Sequence, residues 1–281
     1  EEMGIKQDVI AAPISQMVKD CLADTGMDNK SMLKCRNMFA VGLVCWLFNR
    51  DLNIAEDFIR EKFSKKPEIA EANIKVVRAG YDYGHNTHAS VAHTYKIESK
   101  AAVPGKYMDI TGNKATAYGF IAAAEKAGLK LYLGSYPITP ATDVLHELSK
   151  HKSLGVTTVQ CEDEIAGCAS AIGASYAGAL AVTSTSGPGI CLKSEAMNLA
   201  VIMELPLVVL DVQRGGPATG LPTKSEQTDL LQVLFGRNGE SPMPVIAATS
   251  PTDCFDSAYM AAKIALEHMT PVVLLTDAFV A

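Results

Sequence analysis

No uninterrupted apolar run in the 281 residues approaches the ~20 needed for a membrane-spanning helix. Basic residues are outnumbered, 25 Lys+Arg against 31 Asp+Glu for a net charge of −6. That balance excludes a protein built around nucleic-acid phosphates, which carries basic stripes. The seven cysteines are odd in number and none form C-x-x-C. They signal no disulfide framework, zinc site or iron–sulfur cluster, and reduced thiols of a cytoplasmic protein are the expectation. The phosphate and nucleophile motifs are missing too. No G-K-[ST] P-loop occurs, no G-x-S-x-G elbow, and Leu192 stands where a dinucleotide fingerprint would place its third glycine.

What is present is an ordinary globular composition, 48% hydrophobic and 20% charged, with mean hydropathy near zero. Its length allows one large domain or two modest ones. The chain opens Glu1-Glu2 and stops at Val280-Ala281 just after an apolar, strand-like run, so both ends read as cuts in a longer subunit.

The first hundred residues read as helices. Met32, Phe39, Leu43, Trp46 and Leu47 recur at helical spacing between Ser31 and Arg50, and Ile54, Phe58, Ile59 and Phe63 repeat the pattern. Pro67 suits the first turn of a third helix, for which Gly80 is the expected C-cap. Residues 81–107 turn to Gly, Asn, Thr, Ser and His and read as a linker. His85, His88 and His93 within it lack the rigid frame and fourth ligand of a zinc site, so a solvated loop is the expectation.

From residue 108 onward, short apolar runs alternate with helical stretches of 10 to 18 residues. Strands are predicted at Leu131–Ser135, Val156–Gln160, Ala181–Ser184, Leu207–Val212, Val245–Ala248 and Pro271–Thr276. Helices are predicted from Thr111 (or Asn113) to Gly128, over Pro140–Lys150 and Glu162–Ala179, on to Met203, and from Pro251 to Glu267. The pattern means an α/β fold: an open, mostly parallel sheet with helices on both faces, preceded by the helical segment. Such sheets bind ligands beyond the strand C-termini.

Four strand ends carry chemistry. In Tyr136-Pro137-Ile138-Thr139-Pro140, two prolines stiffen the backbone around Thr139, whose hydroxyl either caps the next helix or is presented to a ligand. Glu162-Asp163-Glu164 opens a helix, where carboxylates complement the macrodipole. That helix is built of Ala166, Gly167, Ala169, Ser170, Gly173, Ala174, Ala177 and Gly178. Such a surface admits close backbone approach, as at a subunit interface, and a carboxylate at its mouth would be desolvated. Ser184-Thr185-Ser186-Gly187-Pro188-Gly189 offers hydroxyls and backbone N–H groups. Arg214 follows the most apolar strand and is either a structural salt-bridge partner or a carboxylate-binding group.

These four stretches, Tyr-Pro-Ile-Thr-Pro, Glu-Asp-Glu-Ile-Ala with its small-residue helix, Thr-Ser-Thr-Ser-Gly-Pro-Gly and Val-Gln-Arg-Gly-Gly-Pro-x-Thr-Gly-Leu-Pro-Thr, together resemble the alpha subunit of 2-oxoacid:ferredoxin oxidoreductases. The likeness is to the 2-oxoglutarate type. Asn37-Met38-Phe39-Ala40 and Lys66-Pro67-Glu68-Ile69-Ala70-Glu71-Ala72-Asn73 resemble the C-terminal part of the gamma domain fused ahead of alpha in many of these enzymes. The resemblance divides the chain into a gamma-like remainder (1–80), a linker (81–107) and a thiamine diphosphate pyrimidine-binding domain (108–281).

It further implies conversion of a 2-oxo acid, coenzyme A and oxidised ferredoxin to acyl-CoA, CO₂ and reduced ferredoxin. Glu164 matches the glutamate that hydrogen-bonds the aminopyrimidine ring, with Glu162 the alternative if the alignment slips. Thr139 and Arg214 match substrate-binding positions, and Ser186, Gly187 and Gly189 line the cofactor pocket. A beta subunit is expected to carry the diphosphate and Mg²⁺ site through a Gly-Asp-Gly motif this chain lacks, and the 4Fe-4S cluster. Two other readings stay open: a non-catalytic α/β protein that binds a small organic acid, and a thiamine enzyme of the decarboxylase type.

Overall fold

The computed structural model describes residues 10–87, 94–97 and 104–281. It divides into two compact units, one ending at Gly105 and one spanning Lys106–Ala281.

In the second unit every predicted strand forms. They are β1 (Leu131–Ser135), β2 (Val156–Gln160), β3 (Leu180–Thr185), β4 (Leu207–Gln213), β5 (Val245–Ala247) and β6 (Pro271–Asp277). All pair in parallel in the order β2-β1-β3-β4-β6-β5, with Leu131 opposite both Val156 and Leu180, and Leu207 opposite Ala181. The connecting helices follow the first unit's five in number: α6 (Gly112–Ala127), α7 (Thr142–Leu148), α8 (Glu164–Tyr176), α9 (Pro188–Leu192), α10 (Ser194–Ile202), α11 (Leu230–Phe235) and α12 (Pro251–His268). Their starts follow local chemistry. The side chains of Thr111, Asp163 and Ser250 accept from the amides of Lys114, Ala166 and Asp253, and Gly128 ends α6 in the left-handed region at φ 67°.

Alternation along each strand sends its apolar residues into two layers. Leu131, Leu133, Val182, Val208, Leu210 and Leu274 pack with α6, α7 and α12 on one face. Ala181, Leu207, Val209 and Val273 pack with Cys168, Ile172, Ile190 and Met197 on the other. The strand order reverses direction between β1 and β3, so the crevice of an open α/β sheet falls where their C-terminal ends part.

The sequence reading departs from the structure in four places here. The helix expected from Pro140 begins at Thr142, and Asn113 is no cap but a buried side chain that donates to the Pro140 carbonyl at 3.0 Å. The single helix expected to reach Met203 is two, broken at Lys193. The short helix α11 carried no periodic signal long enough to find.

The first unit is helical: α1 (Ile14–Leu22), α2 (Asn29–Lys34), α3 (Arg36–Leu47), α4 (Leu52–Lys62) and α5 (Pro67–Asn86). Gly80 is not a C-cap. It lies inside α5, where a Cβ would come within 2.0 Å of the Phe39 carbonyl, and Gly42 of α3 faces the Val77 carbonyl equally closely. The glycines serve close helix contact, so α5 runs on through Asn86 and takes His85 with it. His88 and His93 lie outside the described residues. Ile54 and Phe58, expected on a core face, are 73% and 61% exposed, whereas Ile59 is buried.

Candidate functional site

The crevice is framed by the segments after β1, β2, β3 and β4. Beneath it, Ser135 and Ser184 pair at 2.6 Å and Tyr136 pairs with Thr185 at 2.8 Å, tying the end of β1 to the end of β3. All four side chains are buried.

Thr139 is exposed and does not cap α7. The N-cap position is Ala141, and the local hydrogen bonds are made instead by Thr142, which accepts from the Ile138 amide and donates to the Ile138 carbonyl. Thr139 follows Ile138 and precedes a cis bond to Pro140. Its carbonyl accepts from Arg214 Nη1 at 2.6 Å. Arg214 also donates from Nη2 to the Thr219 carbonyl at 2.8 Å, while Nε is buried without a partner. Among the described residues Arg214, 4% exposed, makes no ion pair. The salt-bridge alternative for Arg214 is therefore set aside. Two of its five donors hold loop carbonyls, and it is a buried cation without an acid.

Glu162 is exposed, whereas Glu164 is half-buried as the first residue of α8. Asp163, between them, is the helix N-cap. The turn after β3 joins Glu164 to Arg214. Gly187 adopts φ 43° and ψ −106°, and a Cβ on it would touch Arg214 at 3.6 Å. A Cβ on Gly189 would lie 2.1 Å from the Tyr136 hydroxyl, 2.2 Å from Thr185 Oγ1 and 3.1 Å from Glu164 Cγ. Only glycine lets these three side chains meet. The Ser186 hydroxyl is buried in the same turn without a partner.

Three groups that the sequence reading did not single out underlie the site. Burial, with the nearby Glu164 carboxylate also opposing ionisation, pushes the Tyr136 phenol far above its ordinary range. Lys193 is wholly buried and donates to Thr183 Oγ1 at 2.8 Å and to the Glu164 carbonyl at 3.2 Å. Burial pulls its ammonium below the ordinary lysine range. Asp211 is wholly buried in β4, and burial followed by the Asp229 carboxylate pushes its carboxyl well above the usual range. No regular hydrogen bond reaches either Asp211 oxygen, although the Gly187 amide and Asp229 lie close enough to influence it. The available signals were a lysine directly after the apolar Ile190-Cys191-Leu192 and an aspartate inside Leu207–Gln213.

A cavity of about 580 Å³ opens on the far side of the Gly187 turn, between Cys191, Gly215, Pro217 and Gln232. Glu164 and Thr139 do not line it. Among the described residues no group of three His, Cys, Asp or Glu is placed to hold a metal ion, and no helix is long and apolar enough to cross a membrane. The residues present do fit the pyrimidine end of thiamine diphosphate. They supply a half-buried carboxylate at a helix start, a glycine cradle that a Cβ would fill, and an unpaired buried hydroxyl.

Comparison with known proteins places the chain in a family. Residues 122–281 match the family model "Pyruvate flavodoxin/ferredoxin oxidoreductase, thiamine diP-bdg", and residues 4–83 match "Pyruvate ferredoxin/flavodoxin oxidoreductase". The chain is 58% identical over 256 residues to a 2-oxoglutarate oxidoreductase subunit KorA of Mycobacterium tuberculosis, covering 91% of this chain and 39% of that one. It is 30% identical over 296 residues to the alpha subunit of 2-oxoacid:ferredoxin oxidoreductase 2 of Aeropyrum pernix, covering 100% of this chain and 45% of that one. It superposes with a TM-score of 0.81 and 35% identity on the 2-oxoglutarate:ferredoxin oxidoreductase from Magnetococcus marinus, solved with 2-oxoglutarate, coenzyme A and succinyl-CoA bound. That match covers 96% of this chain and 44% of the other. The chain thus spans less than half the length of these relatives. With the thiamine-diphosphate-binding model matching more than half of its residues, the chain belongs to the pyruvate flavodoxin/ferredoxin oxidoreductase family.

Proposed function

We propose that this chain is the pyrimidine-binding part of a 2-oxoglutarate:ferredoxin oxidoreductase alpha subunit. The enzyme converts 2-oxoglutarate, coenzyme A and oxidised ferredoxin to succinyl-CoA, CO₂ and reduced ferredoxin in the cytoplasm. The helices through Asn86 are the remainder of a gamma-like domain, and residues from 108 onward form the pyrimidine-binding domain. The observation that carries the reading is the meeting of Glu164, Tyr136 and the Gly187–Gly189 turn at the switch point, with the acid-free Arg214 on the other side of that turn.

When bound, thiamine diphosphate supplies the carbanion-stabilising chemistry that decarboxylation of a 2-oxo acid needs. The Glu164 carboxyl would hold the aminopyrimidine ring by a hydrogen bond, and its Oε would carry the proton shared with that ring. Its packing on Gly189 supports it over the exposed Glu162. Ser186, Gly187 and Gly189 line the ring's pocket. Thr139 offers its free hydroxyl to the oxo acid, and the remaining N–H donors of Arg214 face the substrate carboxylate. The diphosphate, Mg²⁺ and the 4Fe-4S cluster belong to a beta subunit that closes the site.

The test is Glu164→Gln in the full-length alpha subunit reconstituted with its beta partner. Oxo-acid-dependent ferredoxin reduction falls by about 10²-fold or more while the complex still assembles. Wild-type rates in that variant would remove Glu164 from the chemistry.

A further inference from the structure

Lys193 is the one lysine among the described residues with no exposed surface. Burying an ammonium is costly unless every donor is used. One N–H goes to Thr183 Oγ1 of β3 at 2.8 Å and a second to the carbonyl of Glu164 at 3.2 Å. The ammonium also stands 5.2 Å from the centroid of the Tyr136 ring, within cation–π reach. Among the described residues it makes no ion pair. The side chain therefore clasps β3, the first residue of α8 and the segment after β1, three elements that meet at the site. It does so from the break between α9 and α10, which brings Nζ inward.

The chain of contacts continues toward the ligand side. The Tyr136 ring that Lys193 faces ends in a hydroxyl bonded to Thr185 and lying beside the Glu164 carboxylate. Lys193 thus touches the Glu164 backbone directly, while the ring it faces reaches the Glu164 side chain. A surface lysine gripping a helix start would contribute little. Inside the protein, loss of this cation would leave the Glu164 carbonyl and the Thr183 hydroxyl without the donor they share.

We infer that Lys193 is a positioning residue for Glu164, a buried cation that fixes the start of α8 and the Tyr136 ring so that the Glu164 carboxylate projects in one orientation. The inference rests on the reading of Glu164 as the partner of the aminopyrimidine ring. It assigns Lys193 no contact with substrate or cofactor.

The experiment uses the reconstituted full-length complex, with Lys193→Met beside Glu164→Gln. Lys193→Met assembles, and its kcat at saturating thiamine diphosphate falls at least about tenfold while the KM for 2-oxoglutarate stays within about threefold, because orientation at the ring is lost and the substrate contacts are not. Calorimetric titration of thiamine diphosphate and Mg²⁺ into the cofactor-free complex shows affinity weakened by about fivefold or more. Thr183→Val removes the shorter of the Lys193 hydrogen bonds at constant volume. It gives a smaller loss of kcat, about threefold, with KM again unchanged, and it carries the test alone if Lys193→Met fails to assemble. Unchanged kcat and cofactor affinity in the assembled Lys193→Met complex, or in Thr183→Val where only that assembles, overturn the inference. If Glu164→Gln is inactive in that case, the reading of Glu164 survives. An active Glu164→Gln defeats the reading itself and the inference with it.

Discussion

Asp211 shows how a single residue sets conditions for the site. It stands in the centre of the sheet, wholly buried beneath the Gly187 turn and facing Asp229. Burial raises its carboxyl well above the ordinary value of 3.8, so the native state keeps a proton that the unfolded chain releases above that pH. Native stability is then full in acid and declines as pH rises from about 4 toward the raised native value. Asparagine at this position carries no such linkage, and its amide can donate to the unpaired Asp229 Oδ2. Asp211→Asn is expected to raise Tm at pH 7.5 by about 2–4 °C, the equivalent of roughly 1 kcal/mol, and to flatten the decline of Tm as pH rises above about 4. Thermal unfolding followed by circular dichroism checks both. A lowered Tm would mean that Asp211 is ionised and serves Lys193 as a counter-ion. The sequence singled out Thr139, Glu164 and Arg214 because they sit at strand ends. It hid Asp211, Lys193 and Tyr136, whose importance comes from burial against elements distant in the chain.

Among the elements, α3 and α5 make the closest contact in the helical unit. Gly42 and Gly80 bring backbone against backbone, and Gly84 of α5 lies under the Trp46 ring. Each would place an added Cβ within 2.5 Å of a neighbour, and at Gly42 and Gly80 that neighbour is backbone with no rotamer to change. Gly80→Ala is expected to destabilise the unit by about 2 kcal/mol or more, against the slight gain that alanine gives an open helix position. The measurement is urea unfolding of the wild type and the variant, and equal midpoints would show that the pair can separate freely. This contact also explains what could be read in advance and what could not. Strands such as Leu207–Gln213 announce themselves by apolar runs, here Leu207–Leu210, since a parallel sheet covered on both faces buries every side chain. Periodicity placed Ile54 and Phe58 on a core face and took Gly80 for a terminus, because the same local signals serve exposed faces and close helix crossings. Only the packing partner distinguishes them.

At the scale of the whole molecule, α8 links the site to its surroundings. Its inner face packs Cys168, Ala171 and Ile172 on the sheet, and Gly167 approaches Ser135 of β1. Its outer stripe, Ala166, Ala169, Gly173 and Ala177, is exposed and nearly without side chains, and a Cβ on Gly173 meets nothing within 4 Å. Exposed Ile165 and Tyr176 flank the stripe. Nothing among the described residues requires glycine at position 173, and a helix interior disfavours it by about 1 kcal/mol relative to alanine. A docking partner does require it if the beta subunit lays a backbone along this stripe to complete the site that begins at Glu164. Gly173→Leu separates the two demands. The isolated chain carrying it is expected to keep or slightly raise its Tm, because leucine is the better helix former and has open space. The same variant is expected to lose assembly with the beta subunit on size-exclusion chromatography, and oxidoreductase activity with it. Normal assembly and activity of Gly173→Leu would place the beta subunit elsewhere.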